Sequence, residues 1–374
     1  MRYRLLIGAA IFCSLISPAF ASERTGDWEN ASSQSVVVSD LISQADLPTA
    51  ITLEQAFQIA DQSNRDIEQA VISIRQAEAA LREQQADYQP TVTVSAGGDY
   101  SFPILSDSDD SDSLDGGIDL SYTLLDFGRR EAAVNISSAE LQVSELNLQS
   151  TRQTVRLDIA TLYYELQNAV ETVRISQAAV ANSERNLRDT ELREEVGAGT
   201  RYDSLQAQTQ LADDQVSLLS AQNDQAIAQR SLAQILGIGE TTEVLSVEAI
   251  ARRPVWSLSL EETLEQAYRT RAELSQQRLE QTIQQNTARL ALAELSPELS
   301  LSTGYDFSNS LISTTSSVNS WQDGLSISLD MSWTLYDGGV ARAQVEQANA
   351  AETIAVSELA DQQDQIRLAI ETAY

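Results

Sequence analysis

Histidine is absent from the 374-residue sequence, and cysteine occurs only once, at Cys13. Histidine is the commonest general base of enzymes and the commonest metal ligand, so its absence removes the usual starting point for both kinds of site. A single cysteine excludes an intrachain disulfide and a multi-thiolate metal site. Catalysis by carboxylates alone is left open, but no pair of carboxylates stands out from an acidic surface. The composition therefore indicates a protein that is not an enzyme and carries no cofactor or metal.

Basic residues are scarce as well. The chain has 24 Lys and Arg against 55 Asp and Glu, a formal net charge of −31. Proteins that bind nucleic acid need a basic face to meet the phosphates, and this charge balance argues against such a partner.

The first 21 residues have the pattern of an export signal. Arg2 and Arg4 precede a short apolar run, Leu5 to Ile16, and Ala19-Phe20-Ala21 follows as a small-x-small cleavage site. We therefore predict a signal peptide at 1–21 that contains Cys13; the alternative is a buried first helix. Its removal would leave a charge of −31 − 2 = −33. Residues 22–50 are predicted to be a flexible lead-in.

Helix breakers are missing from a long central stretch. Neither proline nor glycine occurs between Gly128 and Gly197, and the segment is rich in Ala, Leu, Gln, Glu and Arg. These features predict one abnormally long helix, with apolar residues at heptad spacing that are typical of coiled-coil packing. Gly197-Ala198-Gly199-Thr200 then predicts a tight turn, and the return helix is expected to run from Asp203 to about Leu236.

The chain contains an internal repeat. Helices are predicted at Leu53 to Tyr88 and at Leu260 to Leu295, each stopped by a proline two residues later, with an offset of 207 (260 − 53). Two candidate strands follow each helix, and the last of them, Leu325 to Leu335, alternates strictly between apolar and polar residues. We assign 51–240 to the first repeat and 258–374 to an incomplete second one.

The alternating strands have two interpretations. A length of about 9 to 11 residues with one apolar face suits a membrane β-barrel. A water-soluble antiparallel sheet with one buried face gives the same alternation. The predicted export signal and the long helices favour the barrel. Ser- and Asp-rich or Ser- and Thr-rich loops are expected at Ser106 to Asp115 and at Ser308 to Ser320.

A repeated motif lies where each second strand meets the next helix. "YTLLDFGRR" begins at Tyr122 and "WTLYDGGVA" at Trp333, an offset of 211 (333 − 122). The motif glycines can adopt a positive φ, and the motif aspartates can cap the following helix; a catalytic role is the less favoured alternative. The predicted transition residues are Asp126, Gly128, Asp337 and Gly339.

These two motifs, together with "VGAGTRYDSLQAQTQL" from Val196, resemble the TolC-type outer-membrane efflux proteins over about Ile51 to Tyr374. The resemblance implies a mainly α-helical fold with a β-barrel part: long coiled-coil hairpins, four membrane strands per chain and a homotrimeric α/β-barrel channel. It further implies a place in the outer membrane and its lipid, helices in the periplasm, and two partners, a periplasmic adaptor and an inner-membrane transporter. The turn residues matched to the adaptor-docking tip are Val196, Gly197, Thr200 and Asp203.

The sequence departs from the family at its end. Tyr374 aligns by the repeat with Tyr163, so the second hairpin is absent, and we expect a truncated copy whose tunnel is incomplete and leaky. The expected function is a passive exit duct of a tripartite efflux pump or a type I secretion system. The alternatives are an exported coiled-coil adaptor or structural protein without a pore, and a non-functional fragment. A cation-preferring lumen is predicted from the inward-facing acids Asp119, Asp306 and Asp330.

Overall fold

A computed structural model describes residues 50–101, 111–238, 245–246, 256–309 and 321–374. The predicted signal peptide and nearly all of the predicted lead-in lie outside these residues. Ala50, the last lead-in residue, belongs to strand β1 (Ala50–Ile51), which pairs in parallel with a later strand, β4 (Leu245–Ser246). Sequence reasoning missed this two-residue pair, because so short a strand leaves no alternation to recognise.

The remaining elements follow one order twice: two helices, two strands and a long helix. In the first repeat these are α1 (Leu53–Ser63), α2 (Arg65–Ala86), β2 (Thr91–Ser101), β3 (Ser111–Leu125), α3 (Arg129–Glu195) and the return helix α4 (Arg201–Ile235). In the second they are α5 (Leu260–Thr270), α6 (Ala272–Ala293), β5 (Glu298–Asn309), β6 (Gln322–Ser332) and α7 (Val340–Ala373). The internal repeat predicted from the sequence is confirmed.

The long central helix is confirmed too. With 67 residues, α3 extends for about 100 Å at the usual rise of an α-helix. It packs against α4 in an antiparallel hairpin and against α2 and α6 near its beginning. Tyr163 lies in the buried cluster between α1, α3 and α4, and its hydroxyl donates to the carbonyl oxygen of Ile51 at 3.1 Å.

The two predicted upstream helices are each broken, which corrects the sequence prediction. Asn64 separates α1 from α2 with an extended backbone (φ −71°, ψ 129°), and Arg271 separates α5 from α6 in the same way. The Asn64 side chain accepts from the N–H groups of Asp66 and Ile67 and donates to the carbonyl oxygen of Ile235 at 2.7 Å. The Asn64 side chain therefore links the start of α2 to the end of α4. Local helix propensity cannot predict such a contact.

Four strands form one antiparallel sheet in the order β2-β3-β5-β6. Its apolar face remains uncovered in the described part of the chain; Val94 and Ile327, for example, are 74% and 73% exposed. The soluble sheet with one buried face therefore does not fit this structure. The β2 and β6 strands are the two edges, and each leaves one row of backbone groups without a strand partner in the sheet.

Three strand boundaries differ from the prediction. β5 ends at Asn309, so Ser308 and Asn309 lie in a strand and not in the predicted loop, whose residues 310–320 are outside the described ranges. β3 begins at Ser111, so Asp115 lies in a strand and not in the predicted loop, whose residues 106–110 are outside the described ranges. β6 ends at Ser332 and excludes Trp333 and Leu335. The equivalent stretch of β3 pairs with β5 at Tyr122, Thr123 and Leu125, with a bulge at Leu124, whereas in the described part of the chain β6 has no second neighbouring strand.

Within the described residues, none of the helices combines the length and the apolar character that are needed to cross a membrane.

Candidate functional site

The first candidate region is the turn between α3 and α4, at the far end of the hairpin from the sheet. Gly197 adopts a left-handed backbone (φ +75°), and the N–H groups of Ala198 and Gly199 both donate to the carbonyl oxygen of Arg193. Thr200 then caps α4. Its hydroxyl accepts from the Asp203 N–H at 3.3 Å, while the Asp203 carboxylate accepts from the Thr200 N–H at 3.0 Å. These bonds fix the shape of the turn.

Polar groups dominate this tip. The hydroxyl and the backbone N–H of Thr200 donate to Asp203 and lower the pKa of its carboxyl below the ordinary value. Arg201 and Glu194 approach across the turn at 3.6 Å, and Val196 is exposed. An open cleft of about 530 Å³ between the helices is lined by the polar residues Asn186, Thr190, Arg193, Asp203, Gln206 and Gln210. The structure thus places all four predicted tip residues at one accessible hairpin end.

The second candidate region is the first strand-to-helix transition. Asp126 accepts from the Arg130 backbone N–H at 2.8 Å and from the Arg130 side-chain Nε at 2.9 Å. Partial burial raises the pKa of Asp126, but these hydrogen bonds and the positive charge of Arg130 outweigh burial and leave it below the ordinary value. The Arg130 guanidinium also lies 4.5 Å from the ring centre of Tyr88 and donates to the carbonyl oxygen of Asp87.

The second transition has the same backbone and different side-chain chemistry. Asp337 accepts from the N–H groups of Gly339 at 2.8 Å and Ala341 at 2.6 Å, which lowers its pKa. Ala341 stands where the first copy has Arg130 (130 + 211). The second transition therefore has no arginine at this position. Four residues before Asp337, the Trp333 ring nitrogen donates to the carbonyl oxygen of Leu295. Both aspartates therefore bind helix N–H groups, but only the first is also part of an ion pair.

A positive φ is required at both transitions. Gly128 and Gly339 have φ values of +99° and +94°. Phe127 also has a positive φ, +51°, whereas its repeat equivalent is Gly338. A non-glycine residue in this region of backbone space is strained. No pattern in the first motif indicates that strain, although the Gly-Gly pair of the second motif marks the same two positions.

The three predicted lumen acids lie on the polar face of the sheet. Two of them lie over a glycine of a neighbouring strand. A Cβ at Gly304 would stand 2.5 Å from the Asp119 carboxylate, and one at Gly117 would stand 2.6 Å from that of Asp306. Asp330 is paired with Ser300 instead. The glycines leave space for the carboxylates to lie along the sheet.

One further acid belongs to this set and was missed. Asp115 lies on the same polar face and over Gly97, whose added Cβ would stand 2.8 Å from the carboxylate. The residues before Asp115 have the Ser- and Asp-rich composition of a loop, so the start of β3 was not recognised from the sequence. The alternation of Asp115 with Gly117 and Asp119 was the signal that could have placed it on this face. Within the described ranges, no group of three possible ligand side chains is arranged to hold a metal ion.

A long helical hairpin joined to a four-stranded sheet with an uncovered apolar face is the architecture of a subunit of an α/β-barrel outer-membrane protein. The family model described as "Outer membrane efflux protein" matches residues 56–238 and 263–374. The chain therefore belongs to the outer membrane efflux protein family, which confirms the resemblance found in the sequence, and its location is the outer membrane.

Sequence identity between this chain and individual relatives is low. The chain is 27% identical over 266 residues to the pyoverdine export outer membrane protein OpmQ of Pseudomonas aeruginosa, a match that covers 67% of this chain and 55% of OpmQ. The chain thus spans little more than half of that relative. It is 26% identical over 327 residues to the outer membrane protein TolC of Vibrio cholerae, covering 84% of this chain and 72% of TolC.

The fold also matches a solved channel. The Campylobacter jejuni CmeC outer membrane channel superposes with a TM-score of 0.72 and 20% sequence identity, over 85% of this chain and 70% of CmeC. At this identity the likeness concerns the fold alone. It confirms the predicted fold class, a mainly helical chain with long helices and a four-stranded sheet.

Proposed function

We propose that this chain is a subunit of a homotrimeric outer-membrane channel that serves as the passive exit duct of a tripartite efflux pump or a type I secretion system. The uncovered apolar face of the sheet, at one end of a helix of about 100 Å, is the observation that carries the proposal. In the outer membrane this face contacts lipid. The opposite face, with its aspartates and serines, lines the water-filled lumen.

The free edges of the sheet require more than one copy. Four strands are too few to enclose a lumen, since the smallest closed barrels of this kind have about eight. In lipid, where no water is present, the unpaired backbone groups of β2 and β6 need strand partners. Three copies supply about 12 strands, which falls within the range of membrane barrels. The transition residues Asp126 and Asp337 then hold the helices at a fixed angle below this barrel.

The tip of the hairpin is the proposed contact for a periplasmic adaptor. Its turn is exposed, its shape is fixed by the Thr200–Asp203 hydrogen bonds, and its surface is polar. The adaptor connects the duct to an inner-membrane transporter, which supplies the energy. The relative OpmQ is named for pyoverdine export.

The lumen acids make the duct prefer cations. Asp119, Asp306 and Asp330 are exposed on the polar face, so their charges act directly on passing ions. Replacing Asp119 and Asp330 with Asn should move the reversal potential in a salt gradient towards zero. Asp323 is a matched control, because it lies on the apolar face and accepts from the Tyr305 hydroxyl. An unchanged reversal potential in the double variant, or an equal change in Asp323→Asn, would contradict the assignment.

Membrane fractionation separates this function from the main alternative, an exported coiled-coil protein without a pore. A barrel subunit stays with the outer membrane after washing with high salt and with carbonate, because apolar contact with lipid holds it there. A periplasmic adaptor held only by polar contacts is released. Release of the folded chain by carbonate would refute the proposed barrel.

A further inference from the structure

We propose that a cleft between the start of α3 and the end of α6 binds the headgroup of a phospholipid that carries a phosphate and a primary ammonium group, as ethanolamine phospholipids do. This headgroup cleft has a volume of about 330 Å³, and its lining includes Phe127, Glu131, Asn135, Asn286, Arg289 and Leu292. The inference rests on the proposed contact between lipid and the apolar face of the sheet. It adds a binding site that an exit duct does not require.

The headgroup cleft lies on the same side of the chain as the apolar face of the sheet. Glu298 marks the opposite, polar side, because it accepts from the Thr123 hydroxyl at 3.4 Å and forms an ion pair with Arg129 at 3.0 Å. Successive residues of an α-helix are about 100° apart, so Glu131 lies about 200° and Asn135 about 240° around α3 from Arg129. Glu131 and Asn135 therefore lie on the side of α3 away from the lumen.

The other wall of the cleft also borders the apolar face. Trp333 continues the apolar alternation of β6, and its ring nitrogen donates to the carbonyl oxygen of Leu295 at 3.0 Å. Leu295 directly follows the end of α6 and is three residues beyond Leu292, which lines the cleft. A residue of the apolar face therefore contacts the end of the helix that forms this wall.

The depth of the cleft matches the headgroup layer of a membrane. Strand β3 ends at Leu125 and α3 begins at Arg129. At the usual helical rise, Glu131 and Asn135 lie about 3 Å and 9 Å beyond the start of α3. The headgroup layer extends about 5–7 Å beyond the hydrocarbon core on each side. A phospholipid whose acyl chains cover the sheet therefore places its headgroup beside these two residues.

Arg289 provides the positive charge for the phosphate. Its guanidinium donates to the Asn286 amide oxygen at 3.4 Å, and it forms no ion pair within the described residues. An arginine without an acidic partner stands out in a chain that has 24 basic and 55 acidic residues. A guanidinium has five N–H donors and binds phosphate oxygens through paired hydrogen bonds, so the donors not used by Asn286 are available to the headgroup.

Glu131 provides the negative charge for the ammonium group. Its side chain is exposed, lines the same cleft as Arg289 and has no ion-pair partner in the part of the chain that the structure describes. A carboxylate accepts hydrogen bonds from the three N–H groups of a primary ammonium, whereas a quaternary ammonium has no N–H to donate. The pair of charges in the cleft therefore favours an ethanolamine headgroup over a choline headgroup.

Phe127 and Leu292 give the cleft an apolar rim. Their side chains are 62% and 53% exposed. Phe127 also has the strained positive φ of +51°, at a position where the second transition has Gly338. Backbone strain of this kind is concentrated at functional sites, and here it accompanies an aromatic ring at the edge of the cleft. The rim contacts the first carbons of the acyl chains while the charged residues bind the headgroup.

Native mass spectrometry of the purified, delipidated chain in its native assembly tests the site. We expect phosphatidylethanolamine to bind more tightly than phosphatidylcholine or phosphatidylglycerol with the same acyl chains. Arg289→Gln should weaken phosphatidylethanolamine binding about tenfold, the effect of losing one charge-assisted hydrogen bond. The matched control is Arg278→Gln, because Arg278 is exposed on nearly the same face of α6, about 20° around the helix and about 16 Å farther from the sheet. This control should bind as the wild type does.

Glu131→Gln tests the ammonium contact separately. It should reduce the affinity for phosphatidylethanolamine to that for phosphatidylcholine and leave phosphatidylcholine binding unchanged. Melting temperatures measured without lipid show whether each variant is folded. If Arg289→Gln is unfolded, Arg289→Lys keeps the charge and loses the planar fork, so it should still weaken binding several-fold.

The remaining outcomes separate this inference from the proposed function. A conducting channel that binds the three lipids equally, or loses as much affinity in Arg278→Gln as in Arg289→Gln, would overturn the headgroup site and leave the duct intact. Displacement of the lipid by an equal concentration of soluble glycerophosphoethanolamine would show that the cleft binds a free phosphate compound and would overturn the lipid assignment. Release of the folded chain from the outer membrane by carbonate would overturn both proposals.

Discussion

Replacing Arg130 with Ala tests how the first strand-to-helix transition is held. The substitution makes this position identical to Ala341 in the second copy, where Asp337 is bound by two backbone N–H groups instead. In the first copy, Arg130 and Asp126 form an ion pair at 2.9 Å with side chains only 9% and 10% exposed. Removing the arginine leaves a nearly buried carboxylate without its positive partner.

The expected loss follows from the contacts of Arg130. Breaking a buried ion pair by removing one partner costs about 3–5 kcal/mol. The contact with Tyr88 adds about 0.5–2 kcal/mol, and the hydrogen bond to Asp87 adds about 1 kcal/mol. Asp126 keeps the backbone N–H of residue 130 and the favourable end of the α3 dipole, an offset of about 1 kcal/mol. These terms sum to about 3.5–7 kcal/mol, and because the contacts of one side chain are not additive, the net loss in folding free energy should lie in the lower half of that range, about 3.5–5 kcal/mol.

Thermal unfolding followed by far-UV circular dichroism measures this loss. Arg129→Ala is the matched control, since Arg129 forms an ion pair with Glu298 that is 45% and 34% exposed and should contribute no more than about 1 kcal/mol. Asp126→Asn combined with Arg130→Ala completes a double-mutant cycle. Equal effects of the two arginine substitutions, or additive effects of Arg130→Ala and Asp126→Asn, would refute the reasoning.

Acid should reduce the effect of Arg130→Ala. The pKa of Asp126 is lowered in the folded chain, so its stabilising contribution is fully present above the unfolded value of about 4 and is lost as the pH falls through the folded value. The difference in melting temperature between the wild type and Arg130→Ala should therefore shrink in that range. A constant difference at all pH values would show that the ion pair is not its cause.

Two further substitutions test the helix ends. Gly237→Ala should destabilise the chain by about 2 kcal/mol or more, because Gly237 has φ +69° and an added Cβ would collide with the carbonyl oxygen of Ser63. The control is Gly324→Ala, since an added Cβ at Gly324 would meet no atom within 4 Å. Equal melting temperatures of the two variants would contradict the account. Thr200→Ala should remove the side-chain cap of α4, lower the free energy of unfolding by about 1 kcal/mol and speed amide hydrogen exchange at the tip. Thr209→Ala, inside α4, should leave tip exchange unchanged. Protection that persists in Thr200→Ala would show that the cap is unnecessary.

Sequence patterns reported the regular parts of this fold well. The long helix followed from the missing breakers between Gly128 and Gly197, and the strands followed from alternation such as that from Leu325 onward. The internal repeat, with offsets of 207 and 211, indicated the order of the elements. The helix and strand signals succeed because each depends on residues that are close together in the chain.

Features that depend on distant contacts were missed. The break at Asn64 lies in a segment of good helix formers and exists because its side chain bonds the end of α4. The placement of Asp119 over Gly304 depends on strand register across about half of the chain. β6 ends before Trp333 and has no second neighbouring strand in the described part of the chain, an arrangement that no local pattern in Trp333 to Leu335 can show.

Ion conductance in a planar bilayer tests the central claim most directly. The purified chain, extracted in detergent and shown to be folded and trimeric, should give discrete conductance steps, and a salt gradient should show that cations pass more readily. That result would establish that three copies of this sheet enclose a water-filled lumen. Folded trimers that insert into the bilayer and remain silent at all voltages would contradict the proposed exit duct.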